Sequence, residues 1–254
     1  MMDDKNTPFF VGYLPTPKGL RALLLGICVF FISGLAGLGF ALGTAQDDPG
    51  PGAFRFDYGR QTVTGVMEMT PYPVLRVTEG NDRISPGDTL MLSAGGKIGV
   101  QDRAAPLEGQ LAKVSGVILE RGDLYMMQVR GGRQGISAVE GEAPVQSVEP
   151  LGRWKLAGEI CDGKCLAGAM RPGTGLAHKA CANLCLLGGV PPVFVSSQPV
   201  DGDEFLLITG PDGTELPPET YDYIAQYVTL EGEIERRGDL LVLMLDPDTL
   251  AVLE

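Results

Sequence analysis

The sequence predicts a mainly β protein, in which two tandem OB-like small β-barrels follow one N-terminal transmembrane helix. Three observations lead to this prediction: an uncharged apolar run over residues 22–46, an internal repeat that aligns 115–129 with 231–245, and strand-like runs between frequent turn residues. The 254 residues include 36 Gly and 19 Pro, which indicates many turns. A chain of this length accommodates one anchor and two small domains.

The N-terminal segment predicts a membrane anchor. Residues 1–21 form a polar head, and residues 22–46 contain no charged side chain, which is long enough to cross about 30 Å of hydrocarbon. Lys18 and Arg21 precede the apolar run and Asp47 follows it, so the positive-inside rule predicts a cytoplasmic head and a periplasmic or otherwise extracytoplasmic remainder. The run is longer than the apolar part of a signal peptide, so we expect an uncleaved single-pass anchor that contacts inner (plasma) membrane lipid.

The rest of the chain divides into a linker and two repeats. Residues 47–60 are rich in proline and glycine and are predicted to be the linker, with the first barrel over 61–148 and the second over 149–254. Gly116 of the first copy aligns with Gly232 of the second. In both copies the tetrapeptide Arg-Gly-Asp-Leu follows this strand, and glycine and aspartate are typical of a tight hairpin turn.

The two copies differ by one insertion. The alignment offset is 93 at Gly65 and Gly158 but 119 at Pro73 and Pro192, so the second copy carries about 26 additional residues, which we place at 161–187. Because the first copy lacks this element, the sequence predicts that a barrel of this kind folds without it. An insertion kept in only one copy indicates either a staple for a long loop or a functional element.

This insertion concentrates the metal-binding residue types. It holds His178, the only histidine, and four of the five cysteines, Cys161, Cys165, Cys181 and Cys185. A short helix predicted near 175–187 places His178, Cys181 and Cys185 on one face, and Cys165 can close over that face from the preceding loop. Three thiolates and an imidazole are a soft tetrahedral set, which suits one zinc ion or alternatively copper(I) or an iron–sulfur cluster. Cys161 is then an alternative ligand.

Disulfide bonds are the competing interpretation of the same cysteines. An even number of cysteines outside the cytosol favours a disulfide framework, and no metal would then be bound. Two cysteines four residues apart on one helix are badly placed to bond each other, so the bridges would join loop to helix. The pairs would be Cys161–Cys185 with Cys165–Cys181, or the swapped combination. A working thiol pair is a third interpretation, and the sequence leaves all three open.

The insertion also resembles a motif of uncharacterised bacterial exported or membrane-anchored proteins. The motif is C-x-x-G-x-M-x-P-G-x-G-x-x-H-x-x-C-A-x-x-C-x-x-G-G-x-P-P, which runs here from Cys165 to Pro192. The resemblance implies that Cys165, His178, Cys181 and Cys185 form the set shared by these proteins. Cys161 departs from the pattern, and the resemblance implies no established activity.

Composition limits the classes of function. A net charge of −12 argues against a nucleic-acid partner, because phosphate binding needs clustered Lys and Arg. The chain shows no glycine-rich phosphate loop and no Ser-His-Asp arrangement, so we assign no enzymatic activity. We therefore expect a membrane-anchored periplasmic accessory or interaction subunit, with a protein partner in the inner membrane such as a redox complex. The alternative is a periplasmic metal-binding or thiol-handling protein.

Overall fold

The N-terminal unit is a single apolar helix. The computed structural model describes residues 18–45 and 50–253, and helix α1 spans Lys18–Ala45. Its segment Gly19–Gly43 has a mean hydropathy of 2.4, and among the described residues it is the one helix long and apolar enough to cross a membrane. This is consistent with an anchor or a signal sequence. Most of the predicted head and Gln46 lie outside the described residues, and the predicted topology remains a prediction.

The second compact unit, Pro49–Glu254, is mainly β. Its first part contains a four-residue helix α2, Gln101–Ala104, and seven strands: β1 Ala53–Phe54, β2 Gln61–Met69, β3 Pro73–Glu79, β4 Thr89–Ser93, β5 Leu111–Arg121, β6 Leu124–Val129 and β7 Ile136–Ala138. Antiparallel pairing joins β2 to β3 and β5, and β3 to β4, while β4 pairs in parallel with β6. The β5–β6 pairing then completes a ring of five strands around fully buried side chains such as Leu75, Leu90 and Met127.

The C-terminal part forms a closed five-strand barrel. Its strands are β8 Glu149–Asp162, β9 Pro192–Val200, β10 Asp203–Thr209, β11 Tyr227–Arg237 and β12 Leu240–Val252, and helix α3 spans Lys179–Leu187. The strand order around the barrel is β10-β12-β11-β8-β9, and β10 pairs with β12 in parallel. Each of these strands therefore has the same neighbours as the corresponding strand of β2 to β6.

The strand registers repeat with the offset seen in the sequence. Gly116 pairs with Val129 across the β5–β6 hairpin, and Gly232 pairs with Leu245 across the β11–β12 hairpin. A Cβ atom would lie 2.4 Å from a backbone oxygen of the neighbouring strand at Gly116 and 2.3 Å from one at Gly232. Both positions therefore require glycine, because the two strand backbones approach closely there.

Part of the predicted linker 47–60 belongs to the sheet. Strand β1 pairs with β5, and the amide of Arg55 donates to the carbonyl oxygen of Ile118 at 2.8 Å. The Arg55 side chain also contacts Glu120 on β5. The chain is thus fixed to the first barrel several residues before β2 begins.

An apolar cluster between the two barrels, distinct from the interior of either one, forms their shared core. The side chains that meet there are buried, and many occupy equivalent positions in the two copies: Val74 and Val193, Met91 and Leu207, Leu124 and Leu240, Met126 and Val242. Each barrel thus offers the same face to the other, which is the arrangement of an isologous dimer within one chain.

The insertion enters this shared core. It leaves the barrel between β8 and β9, and Cys165, Leu166 and Ala167 are buried beside side chains of the first barrel. That the second barrel folds without this element remains a prediction. The insertion also fills space between the barrels, so its removal would expose apolar surface of both.

Candidate metal centre between the barrels

Two short elements position the sulfur atoms. Strand β8 ends at Asp162, and one wide helical turn over Cys165–Ala169 follows it. The Asp162 carboxylate accepts a hydrogen bond from the Cys165 amide at 2.8 Å, which fixes the start of this turn. Helix α3 then presents Cys181 and Cys185 one turn apart, facing Cys165.

The spacing of Cys165 Sγ from the other two sulfur atoms fits tetrahedral coordination of a metal ion. Cys165 Sγ lies 3.8 Å from Cys181 Sγ and 4.0 Å from Cys185 Sγ. Thiolates bound to zinc at about 2.3 Å are separated by about 3.8 Å along a tetrahedral edge. Among the described residues, the ligand atoms of Cys165, His178 and Cys181 lie within 4.8 Å of one another, as do those of Asp162, Cys165 and Cys185. Cys165 is common to both groups, whereas Cys181 belongs to the group with His178 and Cys185 to the group with Asp162. Each group could hold a metal, and neither contains all four predicted ligands.

The imidazole of His178 is hydrogen-bonded to the carboxylate of Asp162. His178 is 2% exposed, and its Nε2 atom lies 2.9 Å from Oδ2 of the fully buried Asp162. A histidine ligand commonly donates its second ring nitrogen to a carboxylate, which orients the ring toward the metal. Sequence reasoning did not identify Asp162. Its position between Cys161 and Cys165, at the end of a strand, is the only signal that could have drawn attention to it.

Cys161 is not part of either ligand group. Its thiol donates to Oε1 of Glu159 at 3.0 Å, and burial, followed by the nearby Glu159 carboxylate, raises its pKa well above the ordinary value. The same Glu159 oxygen accepts the Gly175 amide at 2.6 Å. All five cysteines, which lie in the described part of the chain, are free, so neither predicted disulfide combination is formed.

Two lysines cross between the barrels at this site, and sequence reasoning did not identify them. Lys97, from the segment that joins β4 to α2, places its Nζ atom 2.6 Å from Cys181 Sγ and 3.5 Å from Cys185 Sγ. Lys164, from the insertion, is buried and donates to the carbonyl oxygens of Ala94 and Gly96. No local pattern marks Lys97, because it lies in the first copy, far along the chain from the cysteines.

The electrostatics favour thiolate at one edge of the cluster. A hydrogen bond shared with Cys165 lowers the pKa of Cys185, while the same bond and burial raise the pKa of Cys165. The pKa of Lys97 is raised, first by its hydrogen bond to Cys181. Burial lowers the pKa of Lys164. The protein thus stabilises negative charge on the sulfur of Cys185.

No family model, curated protein or solved structure matches this chain. The resemblance of the insertion to exported bacterial proteins therefore rests on the motif alone.

Proposed function

We propose that this chain is a membrane-anchored, extracytoplasmic protein in which Cys165, His178, Cys181 and Cys185 hold one soft metal ion, most simply zinc. The observation that carries the proposal is the sulfur spacing of 3.8 and 4.0 Å beside a buried, carboxylate-held histidine. A set of four protein ligands leaves no open coordination position, which is typical of a structural zinc site rather than a catalytic one.

Charge balance favours a divalent ion over copper(I). Three metal-bound thiolates carry three negative charges, and the buried Asp162 carboxylate lies beside them. A divalent cation offsets more of this charge than a monovalent one, and uncompensated charge is costly in a largely buried site.

The barrels themselves are proposed to be of the OB type. The five-strand ring with one parallel pair, found in both halves of the unit, supports this assignment. OB barrels bind oligonucleotides and oligosaccharides on the face of their second and third strands. Here that face carries Val74 and Met91 in one barrel and Val193 and Leu207 in the other, all buried in the shared core. This burial, together with the acidic composition, supports a protein that does not bind nucleic acid.

Metal analysis of the detergent-solubilised full chain tests the proposal. We expect about one zinc per chain in the wild type and less than about 0.2 per chain in Cys185→Ser, because removal of one ligand lowers affinity steeply. Cys161→Ser is the matched control and should keep its metal, since Cys161 belongs to neither ligand group. A wild-type protein without metal would contradict the proposal. A visible absorption band would show that the site holds an iron–sulfur cluster instead of zinc.

A second candidate function is that of an accessory subunit for an inner-membrane protein partner. The outward face of the insertion favours it, since Leu176, Leu184 and Leu187 are 69%, 56% and 71% exposed. Ile98 of the first barrel is 60% exposed and follows directly after Lys97, which contacts the same helix. Exposed apolar side chains concentrated on one element are typical of a protein-binding surface.

A further inference from the structure

The segment between β4 and α2, residues 94–100, is tied to the insertion by backbone groups. The Gly99 amide of the segment donates to the Gly188 carbonyl oxygen at 2.8 Å. Lys164 of the insertion donates to the carbonyl oxygens of Ala94 and Gly96 at 2.5 and 2.7 Å. The contact is close, because a Cβ atom at Gly188 would lie 1.8 Å from the carbonyl oxygen of Lys97. A small separation of the barrels would therefore break these bonds.

Lys97 makes the reverse connection, from the first barrel to the sulfurs of the second. Its Nζ atom contacts Cys181 through the sulfur at 2.6 Å and the carbonyl oxygen at 3.2 Å, and it reaches Cys185 Sγ at 3.5 Å. The candidate metal centre thus has its ligands on one barrel and a neutralising cation on the other.

An ion at this site would fix the groups that the first barrel contacts. Cys165 lies on the turn after β8, and Cys181 and Cys185 lie on α3, so an ion bound to these sulfurs would hold the turn and the helix together. The Gly188 carbonyl oxygen, which accepts the Gly99 amide, directly follows α3. Metal loading should therefore hold in place both the sulfurs that Lys97 contacts and the carbonyl oxygen that binds Gly99.

We infer that metal binding locks the two barrels together, with Lys97 as the residue through which the ion acts on the first barrel. The inference rests on the proposed metal centre and adds a consequence for the shared core. The coupling is reciprocal. If the ion stabilises docking of the 94–100 segment by a given factor, docking of that segment raises the affinity for the ion by the same factor. Lys97 is a positioning residue here, since it touches ligands and not the ion.

Hydrogen exchange of the full chain in detergent tests the coupling directly. Addition of zinc to the metal-free protein should slow amide exchange in peptides that cover 94–101, including the Gly99 amide that donates to Gly188. Lys97→Gln should lose this slowing. Lys113→Gln, at an exposed lysine of the same barrel, should retain it.

Zinc affinity provides the second measurement. Competition with a chromophoric chelator should show about tenfold weaker binding for Lys97→Gln, which is the usual effect of losing a group that supports a metal ligand, and unchanged binding for Lys113→Gln. If the wild type binds zinc but exchange in 94–101 is the same with and without it, or if Lys97→Gln binds zinc as tightly as the wild type, the coupling is wrong. A wild type that binds no zinc contradicts the metal centre itself, so the two failures are distinguishable.

Discussion

At the scale of single residues, the site depends on polar groups that are removed from water. Asp162 is fully buried, and each of its carboxylate oxygens accepts one hydrogen bond, from the Cys165 amide and from His178 Nε2. A buried carboxylate is stable only when such donors surround it. Asp162 therefore joins the turn that carries Cys165 to the histidine that faces it, even before a metal binds.

The residue-scale prediction concerns Asp162→Asn. The amide group places a donor against a donor, so we expect the free energy of unfolding of the metal-free protein to fall by about 2 kcal/mol and zinc affinity to fall about tenfold. Denaturant unfolding in the presence of a chelator measures the first, and chelator competition measures the second. Asp222→Asn, at an exposed carboxylate, should change stability by less than about 0.5 kcal/mol. Equal stability of the two variants would show that Asp162 does not organise the site.

At the scale of elements, the insertion has two different faces. Cys185 and Leu186 of α3 are buried, whereas Leu184 and Leu187 on the other side of the same helix are exposed. The inner face is explained by the cluster and the barrels. The outer face remains apolar without a partner among the described residues, and it is the surface that the accessory function would use.

The element-scale prediction tests that surface. The double variant Leu184→Ser, Leu187→Ser should fold and keep its metal, because both side chains point to solvent, but should no longer co-purify from native membranes with the partner that the wild type retains. Val145→Ser, at a side chain that is 99% exposed elsewhere, is the control and should retain the partner. A wild type that runs as a free monomer, or a double variant that keeps the partner, would argue against the accessory function.

At the scale of the whole molecule, the second unit is an intramolecular pseudo-dimer, and the insertion is one of the places where its two halves differ. Glu68 on β2 lies 2.9 Å from Arg76 Nε of its own barrel and 3.6 Å from Arg237 Nη1 of the other. The residue of the second copy that aligns with Glu68 is Cys161, at the start of the insertion. One side of the interface is therefore crossed by the Glu68–Arg237 ion pair, and the other is joined by the Cys/His element.

The prediction at this scale concerns Glu68→Gln. Arg76 has a side chain that is only 5% exposed, and loss of its carboxylate partner leaves a buried charge uncompensated. Removal of one member of a buried ion pair costs about 3 kcal/mol or more, so the unfolding midpoint in denaturant should fall clearly. Glu79→Gln, at an exposed position on β3, is expected to have almost no effect. A similar midpoint for both variants would show that the ion pairs of Glu68 do not stabilise the protein.

The sequence by itself determined the apolar helix, the β class of the remainder, the position of the insertion and the four candidate ligands. These features depend on local patterns: uncharged length, strand alternation, the recurring Arg-Gly-Asp-Leu turn and the spacing of His178, Cys181 and Cys185. Local patterns do not distinguish a short helix from an extended lead-in to the hairpin over 219–228, where the structure has a short helical segment, Pro218–Tyr223, and then β11 from Tyr227.

Only the tertiary structure decided what surrounds those ligands. Asp162 supports His178 because β8 ends beside α3, and Lys97 reaches the sulfurs because the two barrels dock face to face. Neither contact has a signature in the sequence, since each joins residues on different elements through packing rather than spacing. The same packing separates Cys161 from the cluster and leaves Cys165 Sγ 3.8 Å from Cys181 Sγ, which is too far for a disulfide bond.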